Sequence, residues 1–249
     1  MKICIIGNSH SASVLGALKA GYVLNGAGVD HYVIPGGNEP RLIAGENGAF
    51  VATNSRKLRS SVGEALRVED FDGLLLSAFN FDAPKNDNLR QGRHILGKLQ
   101  CYEWTSADKK VAQVSRAVFG EVLGNWIRQW GMFRFISSLK AQGYGGRVFV
   151  EIAPPPSATL GADPEWLLRL RWGEPTERFF ADFLGMCEQA AREIIRESGL
   201  KAVILPPPAE SREGAFLRPA LGRVGDVSHA NAVYGKMVLD VLQGCLDEG

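Results

Sequence analysis

The stretch KICIIGNSHSASVLGAL, residues 2–18, decides the fold that we predict for this chain. It opens with an apolar run over residues 3–6 that ends at Gly7, which is typical of a buried strand. The residues after the turn show apolar side chains at helical spacing, at Val14, Leu15, Leu18 and Tyr22. This spacing predicts one face of a helix. A strand, a tight turn and a helix place Ser9 at the carboxyl edge of a sheet, where α/β proteins bind ligands.

Two interpretations of this serine are open at this point. The turn puts Ser9 beside a helix N-terminus, whose N–H groups favour negative charge. A hydroxyl held there could act as a nucleophile with oxyanion donors close by. Alternatively, Ser9 or Ser11 only caps the helix, a role in which serine is common.

The composition is that of a globular protein with a sizeable core. The chain has 249 residues, of which 45% are hydrophobic and 22% charged, and this suits one large domain or two small ones. The net charge of +1 gives no reason to expect nucleic acid or an anionic membrane surface as a partner.

The four cysteines are widely scattered, and no CxxC or Cys/His spacing indicates a zinc site. Cys4 and Cys187 lie in apolar patterns, so we expect buried free thiols. The sequence shows no signal peptide, and no apolar run approaches the ~20 residues of a membrane span. We therefore expect a cytoplasmic protein.

Short apolar strands alternate with helical patterns along the chain, which predicts a parallel sheet built from βαβ units. The predicted strands are residues 3–6, 30–34, 73–78, 147–152 and 202–205. The predicted helices after the first are residues 55–68, 111–142 with a break near Gly120 or Gly131, 177–198, and 231–246. The other segments that we predict are a hairpin over 41–52, a polar excursion over 82–110 and a loop over 211–227.

Continuous apolar strands suit a sheet that is covered on both faces. We therefore predict an α/β fold with three layers, α/β/α, around a five-stranded parallel sheet. No repeat, low-complexity segment or linker divides the sequence. The prediction is a single domain over residues 1–249, with insertions at about 38–70 and 82–110.

Polar residues of interest follow the ends of the predicted strands. These residues are Ser9, Gly36-Gly37, Asn80 and the segment from Asp226 to His229. The carboxyl ends of parallel strands meet at one edge of a sheet, so we expect these loops to converge. Each residue also has an ordinary structural role, in a turn, a cap or the surface, but a chance set would seldom fall in successive strand-end loops.

The converging groups suit acyl transfer. Ser9 is the candidate nucleophile, and His229 is the candidate base because imidazole titrates near neutrality. Asp226, three residues earlier, can orient the imidazole and stabilise its cation. The backbone N–H groups of Ser9 and Gly37, with the Asn80 side chain, can receive the oxyanion.

This set of residues, in this order, resembles the SGNH hydrolases, the GDSL-like serine esterases. GNSH at residues 7–10 looks like the nucleophile block, Gly37 like the second-block glycine, and LLLSAFN, ending at Asn80, like the third block. DVSH at residues 226–229 has the D-x-x-H form of the last block. Asn8 stands where the family usually has Asp, and AFNF replaces the usual Gly-x-Asn-Asp.

The resemblance implies a flavodoxin-like fold and a serine esterase that needs no metal and no cofactor. The form GNSHSASVLGAL is similar to SGNH domains that act on sugar O-acyl groups, which implies a small-molecule or carbohydrate ester, in particular an O-acetyl ester. His10 and Asn8 are then candidate substrate contacts. Two alternatives stay open: an O-acyltransferase that uses the same residues on a glycan, and a non-catalytic binding module that kept the fold.

Overall fold

The computed structural model of the chain describes the stretches that form its sheet and its helices. These stretches are residues 1–34, 42–45, 48–52, 55–79, 99–104, 112–128, 131–152, 154–155, 157 and 177–248. Their strands are β1 (Lys2–Gly7), β2 (Gly28–Val33), β3 (Leu42–Ala44), β4 (Phe50–Ala52), β5 (Arg59–Ser60), β6 (Ala65–Leu66), β7 (Gly73–Phe79), β8 (Leu99–Cys101), β9 (Ala112–Val114), β10 (Arg147–Ile152), β11 (Ala202–Ile204), β12 (Arg212–Glu213), β13 (Phe216–Leu217), β14 (Gly222–Arg223) and β15 (Asp226–Ala230). Their helices are α1 (Ala12–Lys19), α2 (Arg116–Ile127), α3 (Gly131–Ala141), α4 (Glu177–Ser198) and α5 (Ala232–Asp247).

A six-stranded sheet in the order β11-β10-β7-β1-β2-β5 forms the centre of the fold. β1 pairs in parallel with β2 and β7, and the parallel pairing continues through β10 and β11. β5 adds an antiparallel edge beside β2. The fold is therefore mixed α/β with a mainly parallel sheet, and it contains all the predicted strands. The prediction of five strands omits β5, because two polar residues are too few to show a strand pattern.

Helices cover both faces of the sheet. Successive residues of its central strands are therefore buried on opposite sides. Ile3 and Ile5 of β1 pack in one cluster with side chains of α1 and α5. Cys4 and Ile6 pack in the other cluster, with side chains of α2, α3 and α4. All these β1 residues are 0% exposed, so both faces of the strand are closed to solvent.

The helices α1 and α5 approach each other unusually closely. A Cβ atom placed on Gly235 of α5 would lie 2.0 Å from the carbonyl oxygen of Ser13 in α1. A Cβ atom on Gly16 would lie 3.2 Å from the Cβ of Ala232. Small residues at these positions let the two backbones touch near the start of both helices. This contact joins the segment after β1 to the segment after β15.

The helix predicted over residues 55–68 is wrong. The segment holds a short 3-10 turn, then β5 and β6, which pair with β2 and β4. Leu58, Val62 and Leu66 recur every fourth residue, which mimics a helical face, and all three pack on the core. Gly63 has a φ of +87°, which interrupts any helix. Pairing with neighbouring strands therefore overrides a local pattern that looks helical.

The long helical pattern over residues 111–142 is two helices, α2 and α3. The sequence predicts a break near Gly120 or Gly131. The position near Gly131 is confirmed, since α3 begins there, whereas Gly120 lies inside α2. The start of the pattern is instead β9, which pairs in parallel with β8. The loop predicted over residues 211–227 is also wrong in part, because it contains β12, β13, β14 and the start of β15. These two-residue pairings are too short for a sequence pattern to indicate.

The remaining predicted elements are confirmed where the structure describes them. β3 and β4 form the antiparallel pair predicted over 41–52, and α4 spans the predicted 177–198. α5 begins after Asn231, whose side chain accepts the N–H groups of Val233 and Tyr234. Most of the excursion over 82–110 lies outside the described residues. Of the described helices, none combines the length and the apolar character that crossing a bilayer requires.

All four cysteines are free thiols. Cys4 and Cys187 are buried, as predicted. Burial, with a smaller contribution from the nearby Asp30 carboxylate, raises the pKa of the Cys4 thiol to about 12. This thiol is therefore a part of the core and not a nucleophile at neutral pH.

Candidate active site

The chain turns sharply where β1 ends, and Asn8 shapes this turn. The Asn8 side-chain oxygen accepts the N–H of His10 at 2.9 Å, and residues Ser9–Ser11 then form a 3-10 turn that leads into α1. Ser11, the N-cap of α1, makes no capping hydrogen bond with its side chain. The capping role therefore belongs to Asn8, which is only 3% exposed, and not to Ser9 or Ser11.

Gly7 lets this turn pack against the end of β7. A Cβ atom at Gly7 would lie 1.9 Å from the Ser11 Oγ and 2.6 Å from the Ser77 carbonyl oxygen. Without a side chain there, the Ser11 hydroxyl donates to the Ser77 carbonyl oxygen at 3.4 Å. The turn that carries Ser9 is thus held against the neighbouring strand of the sheet.

The structure brings Ser9, His229 and Asp226 together in one chain of contacts. The Ser9 Oγ lies 3.2 Å from the His229 Nε2, although the two residues are 220 positions apart in the sequence. The His229 Nδ1 lies 2.6 Å from the Asp226 Oδ2. A carboxylate only accepts hydrogen bonds, so this contact places the proton of a neutral imidazole on Nδ1. The Nε2 is then free of hydrogen and can accept the Ser9 hydroxyl proton.

Asp226 holds the backbone of His229 as well as its ring. Its second carboxylate oxygen, Oδ1, accepts the His229 backbone N–H at 3.2 Å. Both residues lie on β15, which pairs with β14 through an irregular register, and Gly225 before it has a φ of +74°. The Asp226 side chain is 31% exposed and the His229 side chain 19% exposed, so a substrate can reach the pair from solvent.

The ring of His10 stacks on the ring of His229, the candidate base. The ring centroids of His10 and His229 lie 4.2 Å apart, with an angle of 20° between the planes. His10 is 8% exposed, which makes it one of the few buried polar residues of the described chain. The sequence singled out His10 as a candidate substrate contact, but it gave no sign of this stacking.

A buried carboxylate on β10 contacts Ser77 of β7, the strand that also holds the turn after β1, and it is absent from the residues predicted from the sequence. Glu151, near the carboxyl end of β10, is 3% exposed and accepts the Ser77 hydroxyl at 2.6 Å. Burial, with the nearby Glu151 charge, raises the pKa of Tyr234 in the first turn of α5. The available signal was a glutamate within the apolar strand RVFVEI and a serine within GLLLSAF. Charged residues are rarely fully buried unless they have partners, so this pattern marks a special position.

Two of the three predicted oxyanion donors, Gly37 and Asn80, lie outside the described residues. The third, the backbone N–H of Ser9, opens the 3-10 turn after Asn8. The oxyanion site therefore stays a prediction. Among the residues that the structure describes, no three His, Cys, Asp or Glu side chains are grouped so that they could hold a metal ion.

Comparison with known proteins gives no independent indication of what this site does. Neither the protein-family models nor the curated proteins contain a match to the chain. What the site can do is therefore inferred from the geometry of the described residues and from their chemistry.

On the acyl-transfer chemistry predicted from the sequence, replacing Asp226 with asparagine is expected to lower kcat on an activated ester by about 10³–10⁴-fold. The amide can donate a hydrogen bond to Nδ1, which favours the imidazole tautomer that cannot accept the Ser9 proton. Initial rates on an activated ester measure the effect. Asp247→Asn, an exposed change at the far end of α5, is the matched control and should leave the rate unchanged. Equal rates for the parent and Asp226→Asn would contradict this role.

Proposed function

We propose that this protein is a serine esterase that acts through an acyl-enzyme. The observation that carries the proposal is the hydrogen-bonded chain from the Ser9 Oγ through the His229 ring to the Asp226 carboxylate. A serine hydroxyl is a weak nucleophile until a base accepts its proton, and the base needs an orienting partner. Ser9, His229 and Asp226 supply these three roles with suitable distances.

In the first half-reaction, the Ser9 Oγ attacks the ester carbonyl carbon while the His229 Nε2 takes its proton. The imidazolium that forms is stabilised by the Asp226 carboxylate. The Ser9 N–H, with the proposed donors Gly37 and Asn80, receives the negative charge on the carbonyl oxygen. The ester C–O bond then breaks, and His229 returns the proton to the departing alcohol.

In the second half-reaction, a water molecule takes the place of the alcohol. His229 removes a proton from the water as its oxygen attacks the acyl carbon, and the bond to the Ser9 Oγ breaks. His229 then returns the proton to Ser9, which releases the carboxylic acid and restores the site. The partial exposure of the Asp226 and His229 side chains gives water a route to the acyl group.

The proposal extends to the SGNH family and to O-acyl groups on carbohydrates as the substrate class. It is supported by the order of the GNSH and DVSH motifs along the chain. A second support is the strand order, in which β2, β1, β7, β10 and β11 follow the 2-1-3-4-5 arrangement of flavodoxin-like sheets. Ser9 follows β1, beside the point where this order reverses, and open α/β sheets bind ligands at such points.

A fluorophosphonate probe tests the proposal directly. We expect the parent protein to gain the mass of one phosphonyl group at Ser9, because the probe requires an activated serine. Ser9→Ala should not be labelled, whereas Ser137→Ala, which removes an exposed hydroxyl on α3, should be labelled like the parent. A folded parent that stays unlabelled would overturn the proposal and leave a binding module.

The substrate class is tested by acetate release from O-acetylated mono- and oligosaccharides. Esterase action predicts acetate in solution, in an amount equal to the ester that is lost. Acetyl groups recovered on an added glycan would instead show that a sugar hydroxyl replaces water in the second half-reaction.

A further inference from the structure

We propose that His10 is a positioning residue whose aromatic face stabilises the protonated form of His229. The inference rests on the proposed esterase function, because that reaction is what protonates His229. It concerns a contact between two rings that the Ser9–His229–Asp226 chain does not itself require.

Two hydrogen bonds hold the backbone of His10 in place. The His10 N–H donates to the Asn8 side chain at 2.9 Å, and the His10 carbonyl oxygen accepts the Ser13 hydroxyl at 3.1 Å. The ring is 8% exposed and lies nearly parallel to the ring of His229. Both bonds stabilise the turn that also carries Ser9, so the nucleophile and the stacked ring stand on the same short segment.

The stack acts on a different part of the His229 ring from Asp226. Asp226 and Ser9 contact the ring at its edge, through Nδ1 and Nε2, whereas His10 covers one face. A cation within about 6 Å of the centroid of a Trp, Tyr or Phe ring is attracted by the face of that ring, and the proposal extends this attraction to the neutral imidazole of His10. The centroid distance of 4.2 Å lies within this range. The attraction appears only when His229 carries its second proton, which is the state formed during attack.

The proposal requires His10 to stay neutral while His229 is protonated. Two imidazolium rings 4.2 Å apart would repel each other, and each would disfavour protonation of the other. The groups that face the His229 ring include the Asp226 carboxylate from its own strand and the Ser9 hydroxyl and His10 ring from the turn after β1. The Asp226 carboxylate at the edge of the His229 ring and a neutral His10 ring on its face then both stabilise the protonated form of His229.

Paired substitutions separate the aromatic face from simple packing. His10→Phe keeps a flat ring that cannot titrate, whereas His10→Leu keeps apolar bulk without an aromatic face. We expect His10→Phe to retain kcat within about threefold of the parent, and His10→Leu to lose about tenfold in kcat with little change in KM. His31→Leu, the same change on β2 outside the site, is the matched control and should leave kcat unchanged.

The pH profile gives a readout that packing alone does not move. Losing the aromatic face destabilises the His229 cation, so the acid limb of the kcat/KM profile of His10→Leu should move to lower pH. Equal activity in the Leu and Phe variants would overturn the proposal. So would a shift of the limb to higher pH, because that shift would show His10 to be a repelling cation.

Failure of the inference can be told apart from failure of the proposed function. The protonated fraction of the His229 ring, measured by NMR at one mildly acidic pH in the parent, His10→Phe and His10→Leu, needs no turnover. A smaller protonated fraction in His10→Leu than in His10→Phe supports the stack, even if no fluorophosphonate labels the parent. Equal protonated fractions, with a parent protein that the probe does label, would overturn the stack alone.

Discussion

Ser9→Ala and His229→Ala are each expected to lower kcat/KM for ester hydrolysis by about 10⁴–10⁶-fold, and the double variant should be no slower than the worse single variant. The reason is that the two groups act as one unit. A hydroxyl without its base is a poor nucleophile, and a base without the hydroxyl has no proton to take. Residual activity then comes from binding and from the oxyanion donors alone.

Rates on an activated ester, with unfolding curves for every variant, measure this effect. Ser137→Ala on α3 is the matched control and should match the parent in rate and stability. If the losses of the two single variants multiplied in the double variant, Ser9 and His229 would be acting independently. That result would contradict the contact of 3.2 Å between Ser9 Oγ and His229 Nε2 as the basis of catalysis.

The second large effect is expected from Gly235→Ala, on α5. The new Cβ would meet the Ser13 carbonyl oxygen at 2.0 Å, so α1 and α5 must move apart. We expect the free energy of unfolding to fall by about 3 kcal/mol, which is typical of severe overpacking. Activity of the folded fraction should fall too, because the same movement separates the turn that carries Ser9 from the strand that carries His229.

Gly244→Ala is the matched control, on the same helix. A Cβ there meets nothing within 4 Å, so the change should stabilise the protein by about 0.5–1 kcal/mol, as alanine favours a helix more than glycine does. Urea unfolding and the rate per folded molecule measure both variants. Equal stability in Gly235→Ala and Gly244→Ala would show that the close approach of α1 and α5 has no energetic consequence.

The sequence predicts the sheet well because each parallel strand is a continuous apolar run bounded by a break. β1, β10 and residues 73–77 of β7 are buried on both faces, so their composition alone distinguishes them from loops. Ser9, Asp226 and His229 follow from the same reasoning, since strand ends meet at one edge. Their contacts depend on long-range packing, but their residue types and their places in the chain are local information.

Other features depend on contacts that no local pattern contains. The segment over 55–68 has helical spacing and forms strands, because β2 and β4 offer edges that pair with it. The stacking of His10 on His229 is likewise invisible in the sequence, since it joins the turn after β1 to β15, which lies far along the chain. Glu151 was detectable only as a charged residue in an apolar strand, and its Ser77 partner lies on another strand.

The packing of α1 against α5 has a consequence for the order of events during protein synthesis. Ser9 leaves the ribosome 220 residues ahead of His229, a delay of roughly 10–45 s at ordinary translation speeds. Throughout that interval the nascent polypeptide carries a hydroxyl without a base to activate it. Under the proposed function, ester hydrolysis begins only after β15 and α5 have docked beside the turn after β1, so the first appearance of activity would mark that step of folding.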